Sequence, residues 1–116
     1  MNPDGCIFCR IVAGQAPAKI YYVDETVTAF ENLNPIAPVH ILIVPNRHIE
    51  SVNTVEGGDE QVIGHLTRVA RQLAEQMGVQ DSGYRLVINT GPDAGQSVFH
   101  LHMHLIGGRR LPFRFE

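Results

Sequence analysis

Positive charge is in short supply. Nine Lys and Arg residues stand against twelve Asp and Glu, so the net charge is −3 with the six histidines neutral. The basic residues are scattered, which leaves no electrostatic footprint for a nucleic-acid backbone. A small anionic ligand would have to be held locally. Long apolar runs are also missing: none approaches the roughly 18 residues of a membrane span, and Met1 to Arg10 shows neither the basic region nor the apolar stretch of a secretory signal. A cytoplasmic chain without a membrane segment is expected. Cysteine is limited to Cys6 and Cys9, too close together to staple a fold. In a reducing compartment their spacing suggests a metal site or a redox pair. There is no repeat or low-complexity tract. With 116 residues, 44% of them hydrophobic and 18% charged, the chain can fill one core, so residues 1–116 are read as a single domain.

Within residues 6–13, Ile7, Phe8, Ile11 and Val12 follow a helical rhythm that Gly14 can end, which predicts a short first helix. Residues 20–23 and 26–30 are β-branched and aromatic and suit a hairpin across Asp24 and Glu25. Asn34, Pro35 and Pro38 then mark a loop. Residues 39–45 (VHILIVP) are nearly continuously apolar, as a central strand requires, with His40 the polar exception. From about residue 59 to 77, Val62, Ile63, Leu66, Val69, Ala70, Leu73, Ala74 and Met77 trace one helical stripe, closed by Gly78. Residues 84–90 (YRLVINT) and 98–106 (VFHLHMHLI) read as strands around a loop at 91–96. Strands joined by short turns, with one long and one short helix, imply an α+β domain on an antiparallel sheet of about five strands.

The last strand carries the chemistry. Successive strand residues face opposite sides, so His100, His102 and His104 would share one face, roughly 7 Å apart, while Leu101, Met103 and Leu105 occupy the other. A solvated polar face is one explanation, but Thr, Lys, Ser or Glu would serve it equally well. Three residues that titrate near neutrality supply nucleophile, acid or metal ligand. Just upstream, Gly95 lets a phosphate approach the backbone, and Ser97 offers a hydroxyl. Gly107 and Gly108 keep bulk away downstream. Asn89, ahead of the glycine loop, is either a turn former or a contact to phosphate or ribose. His40 is either a satisfied core histidine or part of the site.

At this point the sequence resembles a known family. The run from Gln96 to Ile106 (QSVFHLHMHLI) is similar to the histidine-triad (HIT) signature, and residues 35–40 (PIAPVH) resemble its partner motif. Tyr84-Arg85-Leu86-Val87 with Asn89 resembles the nucleotide-binding phosphoramidase branch. The fragile-histidine dinucleoside polyphosphate hydrolases and the galactose-1-phosphate uridylyltransferases match less well. The resemblance covers nearly the whole chain. It implies a hydrolase of purine nucleoside 5′-phosphoramidates that yields AMP and an amine through a covalent nucleotidyl-histidine. His102 would be the nucleophile. His104 would bind the non-bridging phosphate oxygens, and Ser97 would pass or position the leaving-group proton, a serine nucleophile being the other reading. His40 would set the protonation of the catalytic histidine from behind.

The same resemblance implies a nucleotide site formed by Asn32, Asn89, Gly95 and Gln96, with Ile7, Phe8, Ile11, Phe30 and Leu33 sandwiching a purine ring; each apolar member could equally be core. Where the family usually has an aspartate on the ribose hydroxyls, this chain has Asn32, a weaker acceptor. Residues 111–116 lack the tryptophan-proline ending of some relatives. Cys6, Cys9, His48 and His100 resemble the structural zinc set of bacterial members, a donor combination that zinc favours; metal-free cysteines packed in the core are the alternative. Family members pair as twofold homodimers with joined sheets. Rival functions are a dinucleoside polyphosphate hydrolase using the same nucleophile, or a nucleotide-binding or scaffold protein. A redox role for the cysteines has no thioredoxin-like βαβ pattern around it.

Overall fold

A computed structural model describes residues 5–112. Part of the C-terminal segment singled out above, residues 113–116, lies outside the described residues. The elements in chain order are α1 (Ile7–Val12), β1 (Ile20–Val23), β2 (Val27–Glu31), β3 (Val39–Pro45), α2 (Glu60–Gln76), β4 (Tyr84–Ile88) and β5 (Met103–Gly107). Single 3-10 turns occur at Val52–Thr54, Gly57–Asp59 and Pro92–Ala94. The five strands form one antiparallel sheet in the order β1-β2-β3-β5-β4, the expected α+β architecture.

β3 is central, and all seven of its residues are buried, which is why the sequence there is almost unbroken in apolar character. On one face of the sheet, Ile41, Ile43, Met103 and Leu105 join Leu66, Val69, Ala70, Leu73 and Ala74 of α2 in the main core. Each fully buried Leu, Ile or Val contributes roughly 1.5–3 kcal/mol. α2 ends in a paired hydrogen-bond motif: Val79 N–H donates to Ala74 O at 3.0 Å and Gly78 N–H to Glu75 O at 3.2 Å. Gly78 takes the left-handed φ of +75° that this ending requires. On the opposite face, α1 seals a smaller cluster of Cys6, Phe8, Phe30, Leu42 and Val44.

Two strands are shorter than expected. The strand expected at 98–106 is β5, beginning at Met103, and the one expected at 84–90 is β4, ending at Ile88. β3 pairs with β5 up to Ile43 opposite Met103, so the next ladder step would set Leu101 against Pro45. Proline has no N–H to give, and the Pro45 carbonyl is taken by the His100 ring at 2.8 Å. The chain leaves the ladder there, and Leu101 N–H donates instead to Ile49 O at 2.7 Å. β4 stops where its partner does, at Ile88 opposite Met103. The alternation of faces survives the loss of the ladder: Leu101 remains in the main core with Met103 and Leu105. Gly107 and Gly108 lie at the other end of β5, against Val79, Tyr84 and Pro38. They allow close packing there and do not open space at the histidines.

Candidate active site

His100 ends the bend at residues 98–100, His102 immediately precedes β5, and His104 is the second residue of that strand. The three rings are not an evenly spaced row. His102 and His104 lie 5.1 Å apart between ring centroids. His100 is fully buried and turns toward His48, at 5.0 Å.

Hydrogen bonds assign the ring protons. His102 Nδ1 is 2.7 Å from the carbonyl of His100. A carbonyl accepts only, so Nδ1 carries the proton and Nε2 presents its lone pair. The edge of Phe8 packs on the same ring at 5.1 Å. Beside it, Ile36 N–H donates to His40 Nδ1 at 3.2 Å. Neutral His40 therefore carries its proton on Nε2, 2.9 Å from His104 Nδ1. His104 accepts at Nδ1 and has Nε2–H left to donate. A buried nucleophile beside a directed N–H donor can attack a phosphorus centre and stabilise the charge that develops on its oxygens.

Burial holds these rings neutral. It lowers His104 to about 4, helped by the neighbouring His102 and His40. It lowers His40, and lowers His102 against the opposing bond to the His100 carbonyl. In the unfolded chain such groups titrate near 6.5. Below that pH the unfolded state takes up protons that the folded state refuses, so stability is full above about pH 6.5 and falls progressively toward pH 4. Urea unfolding between pH 7.5 and 4.5 is expected to show this loss, on the order of 3 kcal/mol from His104 alone. A flat profile would contradict a neutral triad.

Cys6, Cys9, His48 and His100 converge with their ligand atoms all within 4.8 Å of one another, close enough to hold a metal ion. Cys6 is the N-cap of α1, so the cluster ties that short helix to the loop after β3 and to the triad segment. Cys6 Sγ lies 3.3 Å from His100 Nδ1, Cys9 Sγ 3.2 Å from His48 Nδ1 and 3.5 Å from His100 Nδ1. With Nε2 of His100 bonded to Pro45 O, its Nδ1 offers a lone pair to both sulfurs. Edges near 3.5 Å are what tetrahedral coordination with Zn–S about 2.3 Å and Zn–N about 2.0 Å produces. His48 Nε2 is the one buried side-chain polar atom without a partner among the described residues.

The remaining candidates divide. Phe8 and Phe30 are buried and meet edge to face at 5.3 Å, while Ile11 packs half-buried against the same cluster. Ile7 is 40% and Leu33 88% exposed, so neither is core. Asn89 is half-buried just beyond β4, and Ser97 is exposed. Gly95 takes φ +89° at the end of the 3-10 turn at Pro92–Ala94. Gln96 is buried, and its side chain is occupied within the protein. It accepts from Gly91 N–H at 2.8 Å and donates to Glu50 O at 2.9 Å and Val98 O at 3.2 Å. That clamp shapes the glycine loop. Asn32 contacts Asn34 and His40.

Sequence reading missed the Ile36 N–H that orients His40, although its place four residues upstream was a usable signal. It also missed Asp24, which accepts from Tyr22 Oη at 2.7 Å and meets His65 Nε2 at 2.6 Å; nothing in the sequence joins a hairpin turn to the middle of α2. A cavity of about 760 Å³ is lined by Pro38, Tyr84, Arg85 and Arg109 among others and includes none of the triad.

Comparison with known proteins gives this arrangement a context. Residues 13–111 match the HIT domain. The chain belongs to the HIT domain family. This HIT chain is 49% identical over 105 residues to the purine nucleoside phosphoramidase of Escherichia coli strain K12, covering 90% of the chain and 88% of that relative. A HIT family hydrolase from Clostridium thermocellum superposes with a TM-score of 0.94 at 42% identity, covering 97% of this chain and 98% of that one. A histidine triad protein from Clostridium difficile superposes with a TM-score of 0.94 at 39% identity, over the full length of both. The HIT match begins after Cys6 and Cys9, so α1 and its cysteines lie N-terminal to the matched residues.

Proposed function

We propose that this HIT chain hydrolyses purine nucleoside 5′-phosphoramidates to AMP and an amine. The observation that carries the reading is His102: buried, neutral, its Nδ1 committed to the His100 carbonyl, its Nε2 lone pair next to the His104 donor. The identity to the E. coli phosphoramidase supports the substrate class.

His102 Nε2 attacks the α-phosphorus and the P–N bond breaks. The amine leaves with a proton supplied or positioned by Ser97, since an unprotonated amine is a poor leaving group. Water then cleaves the nucleotidyl-histidine, releasing AMP and restoring His102. His104 Nε2–H holds the non-bridging oxygens, and His40 keeps that proton in place. His104→Ala is expected to lower kcat by about 10²- to 10³-fold, read from initial rates of AMP release. The glycine loop with Gly95, Gln96 and Asn89 lies on the phosphate side. Asn32 borders the ribose, and Phe8, Ile11 and Phe30 back the base between exposed Ile7 and Leu33.

Cys6, Cys9, His48 and His100 would hold a structural zinc, which cross-links α1 to the sheet and leaves His102 and His104 for catalysis. The free edge of β4 supports a twofold homodimer with a continuous sheet. Among the described residues no helix is long and apolar enough to cross a membrane, in keeping with a cytoplasmic enzyme.

The test is AMP release from AMP-lysine with wild type, His102→Ala and Ser97→Ala, together with intact mass after a rapid acid-free quench. A labile nucleotidyl adduct on the wild type alone supports the mechanism. Nucleotide binding without turnover would replace the enzyme with a binding module.

A further inference from the structure

β3 and β5 part at Val39 opposite Gly107. The next step would set Pro38 against Gly108, and proline has no N–H to continue the ladder. Gly108 takes a left-handed φ of +93°, and a Cβ there would come within 2.9 Å of Pro38 Cβ, so glycine is what lets β5 leave this close to the loop. Arg109 then reaches over that loop. Its Nε and Nη2 both donate to the Ile36 carbonyl, at 3.2 and 2.9 Å, two charge-assisted bonds on one oxygen. A side chain makes the connection that the backbone cannot.

Little else holds the loop. Leu33 is 88% and Ile36 57% exposed, so apolar burial does not anchor it, and neither Pro35 nor Pro38 has an N–H to give. Among the described residues, the hydrogen bonds of residues 35–38 all fall on Ile36: its carbonyl on Arg109 and its N–H on His40 Nδ1 at 3.2 Å.

That N–H decides the direction of the histidine relay, because the tautomer of a neutral imidazole is set by the bonds its two nitrogens make. With Nδ1 accepting from Ile36, His40 gives its Nε2–H to His104 Nδ1. Without the Ile36 donor the relay inverts: His40 Nδ1 takes the proton, His104 donates from Nδ1, and His104 Nε2 is left with a lone pair that repels phosphate oxygens. Asn32 favours the inverted form. Its Oδ1 is taken by Asn34 N–H, so the group facing His40 Nε2 at 3.1 Å is the amino nitrogen Nδ2, which only donates. Ile36 N–H therefore holds the arrangement against a neighbour that opposes it.

We propose that Arg109 is a positioning residue for the histidine pair. By gripping the Ile36 carbonyl it keeps the Ile36 N–H on His40 Nδ1, and through His40 it keeps His104 Nε2–H as the outward donor. The consequence for catalysis rests on the phosphoramidase reading, but the proton arrangement belongs to the ligand-free chain.

Arg109 is exposed, so Arg109→Ala should leave the fold standing and act locally. In the ¹⁵N-labelled, ligand-free protein, side-chain NMR should show wild-type His40 and His104 as Nε2–H tautomers. In Arg109→Ala both rings should become mixtures of tautomers, and the Ile36 amide should exchange with solvent roughly tenfold faster. With AMP-lysine, kcat should fall about tenfold at unchanged KM, a part of the 10²- to 10³-fold that losing such a donor outright costs. Arg109→Lys keeps the charge without the two-pronged grip and should lie between the two. Arg110→Ala removes an exposed neighbour of the same charge, of which only the backbone carbonyl is bonded by Arg109, and should match wild type. Unmixed tautomers or an unchanged Ile36 exchange rate in Arg109→Ala overturn the proposal. So does a rise in KM at unchanged kcat, the mark of a substrate contact, or an equal loss in Arg110→Ala, the mark of a general charge effect. If the tautomers mix but even wild type releases no AMP, the phosphoramidase reading falls and the positioning role of Arg109 stands.

Discussion

Replacing His102 by alanine should reduce AMP release by about 10⁴- to 10⁶-fold, the scale on which loss of a nucleophile is felt when the remaining groups act only through it. Nothing nearby can substitute. His104 has its Nδ1 turned to His40 and its Nε2 protonated, and His100 is fully buried with Nε2 on Pro45 O. Because His102 sits against Phe8 and donates to the His100 carbonyl, truncation also opens space and leaves an acceptor unpaired. His102→Gln, closer in volume, should give the same loss of turnover with less effect on unfolding temperature. Retention of more than a few per cent of the activity in either variant, with no adduct on the wild type, would remove His102 from the mechanism.

The second large effect concerns the Cys6, Cys9, His48 and His100 cluster. Stripping metal with a strong chelator, or changing Cys6 to Ser, should lower the unfolding temperature sharply. Structural zinc in small peptides carries about 10 to 16 kcal/mol of apparent binding energy. If even about 4 kcal/mol of it is expressed as stability, the expected drop is roughly 16 °C, at about 4 °C per kcal/mol for a chain of this size. The loss should begin at α1, whose N-cap is Cys6 and whose Phe8 is its buried residue. Phe8 packs on both His100 and His102, so activity should fall with stability and return when zinc is restored. Native mass spectra showing no bound metal, with chelation leaving the unfolding curve unchanged, would reduce the cluster to packed cysteines.

Much of the fold was legible because its elements obey local rules. The nearly continuous apolar run of residues 39–45 reads as a central strand, and the structure places β3 at the centre of the sheet with all seven residues buried. The stripe from Val62 to Met77, with Gly78 behind it, is α2 with its left-handed cap. The alternation of His100, His102 and His104 with Leu101, Met103 and Leu105 was also readable. It holds from Leu101 onward, where Leu101, Met103 and Leu105 share the main core although only Met103 and Leu105 lie in the hydrogen-bonded strand.

The sequence by itself thus determined the class of fold, the faces of its elements and the kinds of group available for chemistry. Periodicity and residue type suffice for these, since each is a property of neighbours along the chain. Tertiary structure decided what those groups can do. Pro45, far from the triad in sequence, ends the ladder opposite Leu101 and takes His100 out of the row. Cys6 and His100 meet across 94 residues. The proton on each ring depends on a carbonyl or an amide that the fold brings to it: His100 O for His102, Ile36 N–H for His40, and through His40 the donor face of His104. A histidine's role follows from where its proton sits, and that is set by partners in space.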